Sequence, residues 1–455
     1  MFDFLKDKKF LISAITLAIP VALQNIINNG INLIDTLMVS TLDAVSVAAV
    51  GQCNNVFFLW NTCSFGIISG AMILTSQFYG AKKYVPLRRT FGLTIIVDFL
   101  ASLIWFIPCQ FFTPYVLKIV TNDPKVITEG IKYLKIVCLM YPMQAFTLTT
   151  LLILRSFGNV KIPIFSSIVT LLTNMSLNYL LINGHFGFPA LGVTGAAIAT
   201  IIGRLVETII LISYLFLSKS FLVEKIKDLF SFFEKDYLLL YFKNVAATFA
   251  DELFYGLSMF MCTVAYGRLV SEQVSAMSIV SSIWDMLVTF YIGFCSASSV
   301  ILGIELGKNN IDKAKLYAKY FIKLMIFVGI VIGIFTFFAR GMFESWFINL
   351  GTEVIYYVDK LLIIVPIAML VGGQSFIYLV GILRAGGDSR VCAYIDLFTG
   401  WLIGVPLAFL SVLVWKFPIH ITFLIVNLQE VGKALFGYLR YRQFKWAKNI
   451  VKNID

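Results

Sequence analysis

Residues 11–40 read LISAITLAIPVALQNIINNGINLIDTLMVS, an apolar run long enough to cross a bilayer when wound as a helix rising about 1.5 Å per residue. The run is not uniformly apolar. Asn25, Asn28, Asn32 and Asp35 recur at spacings of three, four and three, which puts all four on one helical face, while Ile26, Ile27, Ile31, Leu33 and Ile34 cover the others. A carboxylate in hydrocarbon costs on the order of 3 kcal/mol even on the lenient insertion scale, so it faces a bundle interior, water or a counter-ion. Asp35 is therefore the first functional suspect. Two blander readings stand beside it: Asp35, with Asp43 just beyond, is a solvated helix end, and the asparagine stripe is interhelical hydrogen bonding worth about 0.6 kcal/mol per bond.

The rest of the chain is of the same kind. Of its 455 residues 59% are hydrophobic and 13% charged, where soluble domains carry about a quarter charged. This is an all-α integral membrane protein. The first run is too long for the core of a secretory leader, and no small-residue cleavage pattern follows it, so it is expected to stay on the chain as a span. The net charge of +11 is spread in short clusters between apolar runs, and no nucleic-acid partner is expected. Cys53, Cys63, Cys109, Cys138, Cys262, Cys295 and Cys392 show no CxxC spacing, which points to packing thiols rather than disulfides or a zinc site. His185 and His420 lie at span ends with no metal-ligand or nucleophile partner in view. Neither a cofactor nor an enzymatic activity is expected.

Charged or Gly/Pro-rich turns cut the chain into spans near 11–38, 45–78, 90–112, 128–153, 161–183 and 193–217, then 238–266, 273–304, 313–339, 354–381, 391–413 and 417–439. That makes twelve. With the N-terminus cytoplasmic, about 26 of the 36 lysines and arginines fall on inner segments, so both termini are expected inside a cell membrane crossed many times. The halves echo each other. Leu154-Arg155-Ser156-Phe157-Gly158-Asn159 follows a span broken by Pro142, and Leu383-Arg384-Ala385-Gly386-Gly387-Asp388 follows one broken by Pro366. Gln77-Phe78-Tyr79-Gly80-Ala81-Lys82 closes the second span and Glu305-Leu306-Gly307-Lys308 the eighth. The offset is roughly 227 to 229 residues, which predicts a duplicated six-helix unit, the copies related by a pseudo-two-fold axis along the membrane normal. The expected division is an N-terminal lobe 1–217, a cytoplasmic linker 218–237 and a C-terminal lobe 238–455.

Several of these stretches resemble a known family. Ile19-Pro20 and Asp35-Thr36-Leu37-Met38-Val39 in the first span, Leu154 to Asn159, Pro189-Ala190-Leu191-Gly192-Val193-Thr194-Gly195-Ala196-Ala197-Ile198-Ala199-Thr200, Asp251-Glu252-Leu253, and Leu383 to Asp388 are similar, in this order, to the multidrug and toxic compound extrusion (MATE) antiporters, bacterial members above all. The resemblance covers nearly the whole chain. It implies the MATE fold, two six-helix lobes in a V, and alternating-access export of organic, mainly cationic, compounds in exchange for H+ or Na+. It also implies that Asp35 is the first-lobe coupling acid, the place for Na+ if sodium is the ion, with Asn174 and Asn178 as its fifth-span partners. Those two asparagines lie one helical turn apart on one face. One branch of the family has a second aspartate in place of Asn178, so the site here carries one full negative charge. Glu252 resembles the seventh-span glutamate of another branch, whose tenth-span acid is replaced here by Gly373-Gln374, and a complete second-lobe cation site is not expected.

The remaining polar groups in spans sort by spacing. Arg204 with Glu207, and Glu430 with Lys433, stand three apart and are expected to neutralise each other. Asp98, Asp285 and Asp396 are single acids. The expected substrate cavity is lined by Asn28, Asn32, Asp251, Glu252 and Asp285. Gly66/Gly70, Gly329/Gly333 and Gly400/Gly404 have the spacing of close helix packing, and Pro20, Pro142 and Pro366 are candidate bends. The partners implied are small organic cations or other drugs and the lipid bilayer, with the chain acting as a monomer. The alternative is a flippase for lipid-linked precursors, a relation within the same superfamily, which would be expected to show a strongly basic cavity or extra helices.

Overall fold

In hydrocarbon the backbone N–H and C=O groups have only each other, so each apolar run is driven into a helix. The computed structural model describes residues 3–218, 220–231, 234–345 and 351–454, and among them every regular element is helical. Eleven described helices are long and apolar enough to span a membrane, and a bent pair makes a twelfth span. In chain order come α1 (Lys8–Val39), α2 (Ala44–Gly80) and α3 (Tyr84–Phe111), then a short α4 (Thr113–Val120) that the apolar pattern did not announce.

The fourth span is the broken one: α5 (Pro124–Val137) and α6 (Met140–Ser156) meet at 52°. Pro142 has no N–H for the Cys138 carbonyl one turn back, and the Tyr141 N–H takes that oxygen at 3.1 Å instead. Next are α7 (Lys161–Asn183), α8 (Val193–Leu217), the one-turn α9 (Ile226–Leu229), α10 (Lys235–Tyr266), α11 (Ser271–Gly307), α12 (Ile311–Ser345) and α13 (Thr352–Phe376). Helix α1 runs on through Pro20, and α13 through Pro366. The tenth span continues through a π-helical stretch, Ile377–Leu383, to a 3₁₀ turn at Arg384–Gly386. The eleventh joins α14 (Ser389–Asp396) and α15 (Val405–Phe409) through the π-helical stretch Leu397–Gly404, next to Pro406, and the chain's last span is α16 (Ile419–Val426) with α17 (Leu428–Arg442).

The duplication expected from the sequence is visible in the backbone. Gly158 (φ +88°) and Gly387 (φ +82°) both take the left-handed conformation that ends a helix. Each closes the same pair of bonds: Gly158 N–H to Arg155 O at 2.8 Å and Asn159 N–H to Leu154 O at 3.0 Å, against Gly387 to Arg384 at 2.8 Å and Asp388 to Leu383 at 3.1 Å. Lys82 and Asn309 likewise share a left-handed turn, followed by Lys83 N–H to Phe78 O and Asn310 N–H to Glu305 O, both 2.9 Å. Small residues sit where helices touch. A Cβ on Gly70 would lie 2.7 Å from the Val245 Cα, and one on Gly329 2.9 Å from Leu370, so these glycines admit neighbours that a side chain would push away.

By contacts the chain forms two compact units. The first comprises Leu23–Tyr79, Lys83–Phe249 and Ile454–Asp455; the second comprises Met1–Ala22, Gly80–Lys82 and Ala250–Asn453. These differ from the expected lobes 1–217 and 238–455 in a regular way. Helices α1 and α10 change unit after residues 22 and 249, equivalent positions of the repeat, and the expected linker 218–237 belongs to the first unit. Arg88 fastens that linker there. Its Nε donates to Phe221 O and its Nη1 to Asp228 Oδ2, both at 2.7 Å, and its Nη2 pairs with Glu224.

Substituting alanine at Gly158 or at Gly387 forces a Cβ into the left-handed region and is expected to cost about 1–2 kcal/mol. Thermal unfolding of the detergent-solubilised protein should show a lowered midpoint of similar size for both variants, and an unchanged midpoint for either would contradict the shared turn.

Candidate functional site

In the first unit, α1 carries Asp35 to a position where only 4% of it is exposed. The solvated helix end is Asp43 instead: it is exposed, accepts the Ser46 N–H at 2.6 Å, and is held below the usual carboxylate range by that backbone hydrogen bond. Two helices close around Asp35. From α7, the Asn178 amide donates to Asp35 Oδ1 and, at 3.1 Å, to Asn174 Oδ1, so both its N–H groups are spent. From α8, Thr200 Oγ1 lies 3.3 Å from Asp35 Oδ2 and 3.0 Å from the Ala196 carbonyl, and its single proton serves one at a time. Asn174 donates to Thr200 Oγ1 at 3.4 Å, and the buried Tyr133 phenol completes the surround. One atom is left over. Asn178 Oδ1 is buried, and among the described residues no donor reaches it.

The cation whose field reaches this group is already engaged. Arg204 Nη1 pairs with Glu207 Oε2 at 2.9 Å, the i,i+3 pair expected from the sequence. When ionised, Asp35 thus meets only dipoles, the Asn178 amide and the Thr200 hydroxyl with Asn174 behind them, which stabilise its charge without cancelling it.

The repeat places a second cluster in the other unit, on the same frame with different charges. Arg155 follows α6 into the first repeat's helix-ending turn and gives its Nε to Gln24 Oε1 at 3.1 Å, while Gln24 donates on to Ser167 at 3.0 Å. At the equivalent positions, Arg384 meets Asp251 and Glu252. Its Nη2 stands 2.7 Å from Asp251 Oδ2 and its Nη1 2.6 Å from Glu252 Oε1. Adjacent residues on a helix diverge, yet one guanidinium reaches both carboxylates, because its fork spans the divergence. Lys433 then joins Asp396 at 3.0 Å and Glu430 at 2.9 Å, under the Tyr255 ring, and Ser375 donates to Glu430. Three of these carboxylates, Glu252, Asp396 and Glu430, and both cations line a cavity of about 50 Å³, water-sized rather than drug-sized.

The other expected residues fall apart from these clusters. Asp285 is exposed on α11, Asn28 is half-buried on α1, and the Asn32 side chain lies outside the described residues. The expected pair Glu430–Lys433 is present, and Asp396 and Ser375 extend it. Residue spacing could not have shown Arg384 as the partner of Asp251, 133 positions away, nor Thr200 as a partner of Asp35, 165 positions away. The only signal was that each stood in a motif whose neighbours were already singled out.

Comparison with known proteins agrees across the chain. A family profile described as MatE matches residues 20–180 and 247–410. The chain is similar to a probable multidrug resistance protein of Bacillus subtilis, YoeA, at 27% identity over 393 residues, 86% of this chain and 84% of that one. It is similar also to an uncharacterized transporter of the same organism, YisQ, at 26% identity over 453 residues, 97% of this chain and 96% of that one. Among solved structures, a mutant of the Vibrio cholerae MATE transporter VcmN matches with a TM-score of 0.86 at 17% identity, over 96% of this chain and 98% of that one, a likeness of fold.

Removing one partner of a buried ion pair costs more than removing one partner of a neutral bond. Arg384→Met, which strands Asp251 and Glu252, is expected to lose about 3–5 kcal/mol of unfolding free energy. Arg155→Met strands only an amide and should lose clearly less; equal losses in denaturant unfolding would contradict the assigned partners.

Proposed function

The chain belongs to the MatE family of membrane transporters, the MATE proteins, which are not enzymes, and on that premise we propose that it exports drug-like organic cations against H+ or Na+. The observation that carries this reading is Asp35, a buried carboxylate whose direct partners are all neutral. A coupling acid must be able to hold its ion in one state and release it in another, because an ion shifts a conformational equilibrium only by its differential affinity. A carboxylate held by an arginine must give up that pairing before it can take a coupling ion. Asp251 and Glu252 are held in that way by Arg384, and Asp35 is not.

The surrounding amides suit the exchange. With Asp35 ionised, the Asn178 N–H faces it, as here. A half-turn of that amide brings the donorless Oδ1 to Asp35, where it accepts from a protonated carboxyl or joins the oxygens of Asp35, Asn174 and Thr200 around a sodium ion. In either case the occupied site is neutral, and the attraction that draws an organic cation to the free carboxylate is lost. Alternating access converts that opposition into exchange. The chain works in the cell membrane as a monomer with both termini cytoplasmic. The flippase alternative has no observation in its favour, since the ionised groups around Asp35 and around Arg384 carry a surplus of acid.

Asp35→Asn keeps the shape and removes the charge. In proteoliposomes the wild-type protein should drive uptake of a fluorescent organic cation under an imposed pH or sodium gradient, whichever ion it uses. The variant should insert normally and drive none; gradient-driven uptake at the wild-type rate would reject Asp35 as the coupling acid.

A further inference from the structure

Asp98 stands midway along α3, 0% exposed, and takes no part in the site described above. Ser64 Oγ on α2 donates to its Oδ2 at 2.7 Å, and among the described residues nothing hydrogen-bonds its buried Oδ1. The titratable groups acting on it are the Cys63 thiol on α2 and the Tyr241 phenol on α10, both ordinarily neutral at physiological pH, and among the described residues the other helices packed on α3 bring it no charged group. A full charge so placed has no counter-charge. Such an acid carries a cation or its own proton. Sodium would need a shell of oxygens, and one hydroxyl with the two carboxyl oxygens does not make one. A proton fits what is present: Oδ2 is then the carbonyl oxygen that accepts from Ser64, and Oδ1 bears the hydrogen.

A polar row leads away from it. Thr90, Thr94 and Asp98 are spaced by four on one face of α3, and all are buried. Tyr237 donates to Thr90 Oγ1 at 3.0 Å and Tyr241 to Thr94 Oγ1 at 3.1 Å, which lines this seam with hydroxyls toward the Tyr84 end of the helix. The repeat does not require the acid, since the equivalent residues of α12, 325–327, are all apolar. Glu207 and Asp251 also leave one carboxyl oxygen without a partner, but each of those acids stands against an arginine, and among the described residues Asp98 stands against no cation.

We propose that Asp98 is a second proton-carrying acid of the transporter, loaded in this state and released elsewhere in the cycle along the hydroxyl row. On release the Oδ1–H bond breaks, the electron pair stays on the carboxylate, and the proton passes to water. This rests on the export cycle proposed above, with the proton as a driving ion.

The experiment is infrared difference spectroscopy of the purified protein with and without a saturating organic cation, alongside transport in liposomes. The wild type should show a carboxylic-acid C=O band that changes with the solute and is missing in Asp98→Asn. That variant should lose uphill, pH-driven export and keep solute exchange without a gradient. An unchanged difference spectrum in Asp98→Asn, or wild-type uphill export by it, overturns the proposal. Should Asp98→Asn not fold, Ser64→Ala decides: loss of the donor should move the same band to higher frequency, and no movement overturns the assignment. If the wild type itself exports nothing under a pH gradient, the proton-driven reading fails, and the solute-dependent band alone decides whether Asp98 exchanges its proton.

Discussion

A charge in hydrocarbon must be matched, and the interior of this protein is arranged by that requirement. The second unit meets it with ions: Arg384 forks Asp251 and Glu252, and Lys433 ties Asp396 to Glu430. In the first unit, beside the Arg204–Glu207 pair, dipoles meet it: amides and a hydroxyl around Asp35 and an amide beneath Arg155. Ion pairs of the first kind are costly to break and hold their groups in one state. Amides and hydroxyls of the second kind can turn, and so can follow a change in what the carboxylate carries.

The internal duplication makes that contrast sharper. Both halves end a span with an arginine in the same left-handed glycine turn, and both aim it at the same position of their opening helix. One half has glutamine there and the other aspartate. The backbone frame is thus shared, and the chemistry differs by single side chains. A structural ion lock and a chemically unlocked acid can then occupy a common scaffold without disturbing its helix packing.

Much of the fold was legible because the bilayer simplifies the reading. Apolar runs must be helices, and their ends fall within a few residues of the charged turns; Pro142 marked the broken fourth span, though not its 52° angle. Asp35 with Asn174 and Asn178 was legible from helical spacing together with the resemblance of the surrounding motifs to MATE transporters. The partners of Arg384 were not, because contacts between helices more than a hundred residues apart leave no mark in a single sequence. Nor did the pattern show that α1 and α10 each divide between the two compact units, since an unbroken apolar run looks the same whichever bundle it packs against. Adjacent residues on a helix diverge, and nothing in the spacing of Asp251 and Glu252 shows that one guanidinium is wide enough to reach both.

The central claim is that the coupling ion and the organic cation oppose each other at one unpaired buried acid. Equilibrium binding of a fluorescent organic cation to the purified protein, measured across pH and across sodium concentration, tests this most directly. The account predicts that affinity falls as protons or sodium ions are added, with the responsible ion identified by which titration shows the loss. An affinity that stays constant through both titrations would contradict it.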